Sequence, residues 1–322
     1  MEIKYDKRID LILGLIYSVN NENNCNFNWV TSMMREYGEE FYELYKKNIT
    51  PEFKEYIMNF GLDSYDRCIY IALSLNENYE IENNKDIEEI VKYNQNFNSK
   101  DLSKFIKEFV DKIDYENLFR KYENNRRNYI KEFEEMIDTK GESITGIIES
   151  FYGYSKGKMN IILAPFSRGN YGIKFNNEIY YISEVIVNKN NWPYTLSLLF
   201  HEFSHPYINE LGEKYFCDIN IDELLKYSKD NNLGECYDDA ITLINEYVVR
   251  VVQIILSRDF YDNEILFKHI SDHKNEGFIF IENLIQVFNN KDNYDTFEEF
   301  YKNEIVEYFI KLENNIIAQR IK

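Results

Sequence analysis

The sequence predicts an α+β fold that is predominantly helical. Most of the 322-residue chain consists of segments in which apolar residues recur at helical spacing, separated by short polar breaks. Only the stretch after Gly141 contains the short apolar and alternating runs that are typical of β-strands. A chain of this length can form one large or two ordinary domains. We therefore expect a helical framework that carries one small sheet.

The first 140 residues are predicted to form a helical N-terminal region. Between Phe105 and Ile113 the apolar positions recur at helical spacing, which indicates one face packed on neighbouring elements. No catalytic pattern stands out here, and no Pro-rich or Ser-rich linker separates residues 1–140 from residues 141–322. One compact unit is therefore the alternative to two regions. The predicted helices are Arg8–Val19, Ser32–Lys46, Pro51–Phe60, Ser64–Leu75, Leu102–Ile113 and Glu116–Ile137.

A small sheet is predicted before residue 190. Residues 159–165 form a short apolar run that ends at a proline, and residues 171–175 alternate with a period near two. Asn176 and Asn177 separate this strand from residues 178–182. Because Asn tolerates left-handed backbone conformations, this pair predicts a tight hairpin turn.

Two histidines with a carboxylate after the first form the motif His201-Glu202-Phe203-Ser204-His205. On a helix, residues four apart are neighbours on one face, so the two imidazoles can converge on one ion. Two His and one carboxylate suit zinc, with a fourth position left for water. Glu202 lies on the flank of the same face, where it can take a proton from that water. The motif therefore predicts a hydrolytic zinc site.

The surroundings of this motif bear on the prediction in two ways. Pro193 suits the first turn of a helix, and the residues that follow up to Phe200 carry no charge. Both histidines are therefore expected to be buried. Pro206, however, lacks the amide that would bond the carbonyl of Glu202, so we expect a kink or an early end of the helix there.

Glu246 is the predicted third ligand. It stands in the middle of the otherwise apolar segment from Asp238 to Leu256. An unpaired carboxylate in such a setting costs several kcal/mol unless a cation meets it. The alternative is that Arg250, four residues later, pairs with it on a solvated polar stripe that also includes Asp239, Thr242, Gln253 and Ser257. Glu210, Asp238 and Asp239 are weaker ligands, because Glu210 is too close in sequence and the aspartates suit helix capping.

The motif followed by Glu246 resembles the gluzincin arrangement of zinc metallopeptidases. The chain also resembles a bacterial family of uncharacterised function with this motif behind a helical N-terminal region. The resemblance implies a zincin-like catalytic region with one Zn²⁺ per chain, held by His201, His205 and Glu246, and Glu202 as general base and then acid. Gluzincins often have an acid one turn after the ligand Glu, where this chain has Arg250. The stretches that carry the second resemblance are Arg8–Ile12, Phe60–Asp66, Asn170–Gly172, His201–Asn209 and Asn245–Arg250.

The expected function is hydrolysis of peptide bonds in a peptide or protein substrate. The strand with Asn170, Tyr171 and Gly172 is the candidate for binding an extended peptide by backbone pairing. Arg250 is a candidate for supporting the metal ligands or for polarising the substrate. His269 and His273 form another pair four residues apart, which we interpret as a solvated helix face. The alternative function is a helical binding or scaffold protein with a structural or vestigial zinc site.

Composition limits the remaining classes of partner. A formal net charge of −19 repels phosphate backbones, so no nucleic-acid partner is expected. The N-terminal apolar run is too short to span a bilayer and lacks a cleavage site, and no other stretch is expected to reach membrane length, so a cytoplasmic protein is predicted. The oligomeric state is not predicted. Four scattered cysteines are expected to be buried and reduced, namely Cys25, Cys68, Cys217 and Cys236.

Overall fold

The chain folds into two compact units built mainly from helices. The computed structural model describes residues 1–21, 32–59, 65–82, 87, 98–137, 143–184, 195–233 and 237–320. The first unit contains the described residues of Met1–Met136 and Met159–Asn190, and the second contains those of Ile137–Lys158 and Asn191–Lys322. The predicted α+β class with predominant helix is confirmed.

The helices of the first unit follow the predicted pattern with one exception. The single helix predicted for residues 116–137 is wrong, because Tyr122 leaves the helical conformation at φ −99° and ψ 15° and divides it. The helices described here are α1 (Lys7–Asn20), α2 (Ser32–Asn48), α3 (Pro51–Asn59), α4 (Tyr65–Leu73), α5 (Ser99–Ile113), α6 (Tyr115–Lys121) and α7 (Glu123–Met136).

A four-stranded sheet belongs to the first unit. Its strands are β1 (Glu2–Lys4), β2 (Lys158–Ala164), β3 (Tyr171–Phe175) and β4 (Glu178–Glu184), in the order β1-β2-β4-β3. The predicted hairpin is confirmed, since β3 and β4 pair antiparallel and both Asn176 (φ 49°) and Asn177 (φ 62°) are left-handed. β3 therefore forms one edge of the sheet.

The pairing of β1 explains why these units differ from the predicted division at residue 140. β1 runs parallel to β2, with Ile3 opposite Ile161. A strand at the start of the chain thus ties the sheet to the N-terminal helices, although the sequence division placed the sheet with the C-terminal region. Three residues are too few for the period of a strand to be recognised in the sequence.

The second unit consists of helices around one central pair. That pair is α9 (Thr195–Phe216) and α11 (Ala240–Ser257), which pack against each other along their lengths. The N-terminus of α11 is capped as predicted, because the Asp239 carboxylate accepts from the amide of Thr242 at 2.8 Å. The other helices are α8 (Ile144–Tyr152), α10 (Asp222–Ser228), α12 (Asn263–Asn275), α13 (Ile281–Val287), α14 (Phe297–Phe300) and α15 (Val306–Arg320).

The composition of α11 departs from one expectation. Its 18 residues have a mean hydropathy of 1.5, enough by length and composition for a membrane-spanning helix. The expectation that no stretch reaches membrane length is therefore wrong. However, 72% of this helix is buried inside the protein, and the core helix of a globular protein has the same character.

Gly212 sets how closely the two central helices approach. A Cβ atom at Gly212 on α9 would lie 2.8 Å from Cγ of Asn245 on α11 and would overlap its Oδ1 atom. Both residues are buried. The absence of a side chain at Gly212 thus allows the close contact between α9 and α11, next to Glu246.

We expect Gly212→Ala to destabilise the protein by up to about 2 kcal/mol. Overpacking of a filled contact typically costs about 1–3 kcal/mol, and the better helix propensity of Ala offsets about 1 kcal/mol of it. The free energy of unfolding in urea measures the net effect.

The second substitution Asn245→Ala tests the cause of this loss. It removes the atoms that the new Cβ would meet, so the double variant is expected to lose less than the sum of the two single variants. A Gly212→Ala variant more stable than the wild type would contradict the close contact.

Candidate metal centre

Two facing helices carry the polar residues of the candidate site. On α9, Ser197, His201 and His205 follow one another at intervals of four residues and share one face. On α11, Glu246 and Gln253 lie seven residues apart, which also places them on one face. Because α9 packs against α11, the two polar rows meet between the two helices.

Three potential metal ligands converge at this place. Nε2 of His201 lies 3.2 Å from Nε2 of His205 and 3.8 Å from Oε2 of Glu246. Nε2 of His205 lies 3.5 Å from Oε1 of Glu246. A tetrahedral zinc ion with bonds of about 2.0–2.1 Å requires donor atoms about 3.3–3.4 Å apart. The 3.2 Å between the two imidazole nitrogens meets this requirement. The two Glu246 distances involve different oxygens, and one ligand atom from each of the three residues lies within 4.8 Å of the others. A small shift of the Glu246 carboxylate toward the histidines would therefore let the three side chains hold one zinc ion.

This cluster is distinctive within the part of the chain that the structure describes. No other group of three or more His, Cys, Asp or Glu side chains there has ligand atoms arranged for a metal ion, and the atoms of this group all lie within 4.8 Å of one another. His201 is buried, while the side chains of His205 and Glu246 are each 16% exposed to solvent. The centre is therefore largely enclosed.

Glu202 lies beside the three ligands and not among them. Its Oε2 atom is 3.9 Å from Nε2 of His205, and the residue is 8% exposed. A carboxylate in this position can accept a proton from a water molecule near the cluster. The structure thus places Glu202 where the sequence predicts a general base.

Gln253 and Ser197 orient His201, and this support was not predicted. Nδ1 of His201 lies 3.1 Å from Oε1 of Gln253, whose Nε2 donates to Oγ of Ser197 at 2.7 Å. Since the amide oxygen can only accept, Nδ1 carries the proton and Nε2 keeps its lone pair for an ion. Metal-ligating histidines commonly have such a partner on the second nitrogen.

The interpretation of the α11 polar residues as a solvated stripe is wrong for two of them. Gln253 is 4% exposed and Ser257 is fully buried, because this part of α11 faces α9. Asp239 and Thr242 are exposed or partly exposed at the start of the helix. The spacing in the sequence could have indicated this support. Gln253 lies seven residues after Glu246 and Ser197 lies four residues before His201, so each lies on the same helix face as a ligand.

Burial lowers the pKa of His201 well below its ordinary value of 6.5. The neighbouring His205 and the positive charge of Arg250 lower this pKa further, and the hydrogen bond to Gln253 opposes them. The ring is therefore neutral around pH 7, which is the form that binds a metal ion.

The expected early end of the helix at Pro206 is wrong. α9 continues from Thr195 through Pro206 to Phe216. Pro206 itself is buried, so packing on both sides of it holds the helix despite the missing amide. The orientation of His205 is preserved, as its Nε2 atom still meets that of His201. Pro193 lies outside the described residues.

Arg250 lies beside Glu246 but has shorter contacts elsewhere. Its Nε atom is 3.5 Å from Oε2 of Glu246, whereas its Nη1 atom donates to Nδ1 of His273 at 2.8 Å and to Oε2 of Glu276 at 3.0 Å. Arg250 is thus an ion-pair partner of Glu246 as well as of Glu276. The other oxygen of Glu246 faces His205 at 3.5 Å, so the pairing with Arg250 leaves this carboxylate beside the histidines.

The prediction that His269 and His273 lie on a solvated helix face is wrong. They are 4% and 7% exposed, because this face of α12 packs inside the second unit. His273 accepts from Arg250, and its ring is 6.3 Å from that of His269. The two rings are thus parts of the core behind the candidate centre.

The candidate substrate-binding residues lie at the edge of the sheet. Tyr171 and Gly172 belong to the edge strand β3, and Oδ1 of the preceding Asn170 accepts from the hydroxyl of Tyr181 at 2.8 Å. They belong to the first unit, whereas His201, His205 and Glu246 belong to the second. Peptide binding by this strand stays a prediction.

The cysteines depart from expectation at one position. Cys68 is a buried thiol, as expected, whereas Cys217 is exposed because it lies in the turn directly after α9. Cys25 and Cys236 lie outside the described residues.

Comparison with known proteins gives a family but no function. The model of a protein family that is described only as a domain of unknown function (DUF4932) matches residues 55–308. The matched segment contains His201, Glu202, His205 and Glu246. No curated protein and no solved structure matches the chain.

Proposed function

The chain belongs to the DUF4932 family, and from its candidate metal centre we propose that it is a zinc-dependent hydrolase, specifically a metallopeptidase similar to gluzincins. The observation that carries the proposal is the convergence of His201, His205 and Glu246, whose ligand atoms all lie within 4.8 Å of one another. The proton on Nδ1 of His201 adds support, since it leaves Nε2 available to the ion.

The donor set fits the proposed cofactor. Two neutral imidazoles and one carboxylate are the protein ligands of many catalytic zinc sites. A bound zinc ion would lower the pKa of a coordinated water molecule and polarise a substrate carbonyl. With the ion bound, Glu202 would serve as the group that takes a proton from the attacking water and passes it to the leaving amine. Peptide or amide bonds are the substrate class that this set of groups most commonly serves.

We expect the protein purified without added metal to contain about one zinc ion per chain, in keeping with a single three-ligand site. His201→Ala and Glu246→Ala are each expected to reduce the zinc content to near zero, because two remaining ligands hold zinc poorly. Inductively coupled plasma mass spectrometry on the full chain measures both results.

Two substitutions serve as controls for the loss of zinc. Glu213→Ala removes an exposed carboxylate from α9, and His269→Ala removes a histidine from α12. Both should retain the zinc content of the wild type. A wild-type protein that is free of metal and takes up none from added ZnSO₄ would refute the site.

A further inference from the structure

Arg250 belongs to a cluster that joins the candidate centre to α12. Its side chain is mostly buried, at 17% exposure, and lies one turn after Glu246 on α11. The guanidinium is centred 4.1 Å from the middle of the Phe278 ring, a cation–π distance. Together with its hydrogen bonds to His273 and Glu276, this contact fixes the guanidinium from two sides.

In both hydrogen bonds, Arg250 is the donor and its partner is the acceptor. A guanidinium can only donate, so Nδ1 of His273 accepts from Arg250. His273 is thus a neutral acceptor with its proton on Nε2. Glu276 contributes a negative charge at 3.0 Å from Nη1. Both side chains therefore act as supports for Arg250.

The opposite side of the guanidinium faces the third ligand. Nε of Arg250 is buried and has no hydrogen-bond partner among the described residues. It lies 3.5 Å from Oε2 of Glu246, within range of strong electrostatic attraction. Oε1 of the same carboxylate lies 3.5 Å from Nε2 of His205. Oε2 also lies 3.8 Å from Nε2 of His201. Both oxygens of Glu246 therefore face the histidine pair, and Oε2 lies next to Arg250 as well.

We propose that Arg250, held by His273, Glu276 and Phe278, is a positioning residue that fixes the carboxylate of Glu246 facing His201 and His205, where it would meet the metal. This inference rests on the proposed function. The attraction between Nε and Oε2 restricts rotation of the carboxylate and keeps it beside the two histidines. A ligand that is already oriented loses less conformational entropy when it binds an ion.

The variant Arg250→Met tests the proposal in the full-length protein. Met preserves the length and much of the apolar packing on Phe278 while removing the charge. We expect zinc to bind about 10–100-fold more weakly, as is typical when a residue that supports a metal ligand is replaced. Competition with a chromophoric chelator measures the affinity. The visible absorption spectrum of the Co²⁺-substituted protein, which reports ligand geometry, is expected to change as well.

Two further variants separate a positioning role from a general effect on packing. Arg250→Lys keeps a positive charge and is expected to recover part of the zinc affinity. Arg258→Met makes the same chemical change at an exposed position at the end of α11 and is expected to bind zinc like the wild type. Unchanged zinc affinity and an unchanged Co²⁺ spectrum in Arg250→Met would overturn the proposal.

Glu276→Gln keeps the proposal testable if Arg250→Met does not fold. The Glu276 side chain is 54% exposed, so its replacement is tolerated, and it removes one support of the guanidinium. A weaker but measurable loss of zinc affinity is expected, and the same affinity as the wild type would count against the proposal. Failure of the proposed function is a different result, because the wild type itself would then bind neither zinc nor Co²⁺.

Discussion

Glu202→Gln is expected to lower peptide hydrolysis by about 10²–10⁴-fold, the range typical of losing a general acid–base group. Gln has nearly the shape of Glu but cannot accept a proton at neutral pH. Because Glu202 is not one of the three converging ligands, the zinc content should remain that of the wild type. Initial rates on a mixed library of internally quenched fluorescent peptides measure the effect.

The control for this substitution is Glu213→Gln. Glu213 lies on the same helix, exposed to solvent, so the change in charge is matched and no loss of rate is expected. If Glu202→Gln binds zinc and cleaves the library as fast as the wild type, the enzyme proposal fails. The alternative of a helical scaffold with a structural zinc ion would then be favoured, as it would by a zinc-loaded wild type that cleaves no peptide of the library.

Asp10→Asn is expected to make the protein more stable at neutral pH. Burial raises the pKa of Asp10 well above its ordinary value, although the positive charge of Arg126 lowers it in part. Neither carboxylate oxygen has a hydrogen-bond partner among the described residues, so the amide loses no such contact. The substitution thus removes a buried group that resists ionisation.

The pH dependence identifies the cause. Between the unfolded pKa of about 3.9 and the raised pKa of the folded state, the folded protein binds more protons at Asp10 than the unfolded chain does. The contribution of Asp10 to stability therefore falls as the pH rises, by about 1.4 kcal/mol per pH unit, until the folded pKa is passed. Because the amide of Asn does not ionise, the stability of the variant lacks this dependence on pH.

Urea unfolding of both proteins from pH 4 to pH 8 measures the difference. The advantage of Asp10→Asn over the wild type should grow with pH for as long as the pH lies below the raised pKa of Asp10 in the folded state. A constant difference across this range would mean that Asp10 ionises in the folded protein as it does in the unfolded chain.

Local spacing explains what could be predicted from the sequence. The four-residue interval between His201 and His205 places both side chains on one face of a helix, whatever packs around that helix. Glu246 was recognisable because it is an isolated acid in an apolar helix. The turn at Asn176 and Asn177 was predictable because these two residues tolerate the backbone conformation that the turn requires.

The features that were missed depend on which elements meet in space. Gln253 and Ser257 look like a solvated stripe until α9 covers them, and His273 looks exposed until Arg250 reaches it from another helix. β1 is too short to show the alternation of apolar and polar residues that marks a strand, and its partner β2 lies more than 150 residues later in the sequence. Such pairings are set by tertiary packing, and the pattern of a single sequence contains little information about that packing.

The parallel pairing of β1 with β2 constrains the order in which the protein can fold during synthesis. Residues Glu2–Lys4 leave the ribosome before the helices of the first unit, yet their partners Asn160–Ile162 emerge only after those helices have been made. Contacts of such long sequence separation form late, since the loop between them must be closed first. β1 therefore remains unpaired until its partner strand has been made, and its short length limits how far it can pair with the wrong chain in that interval.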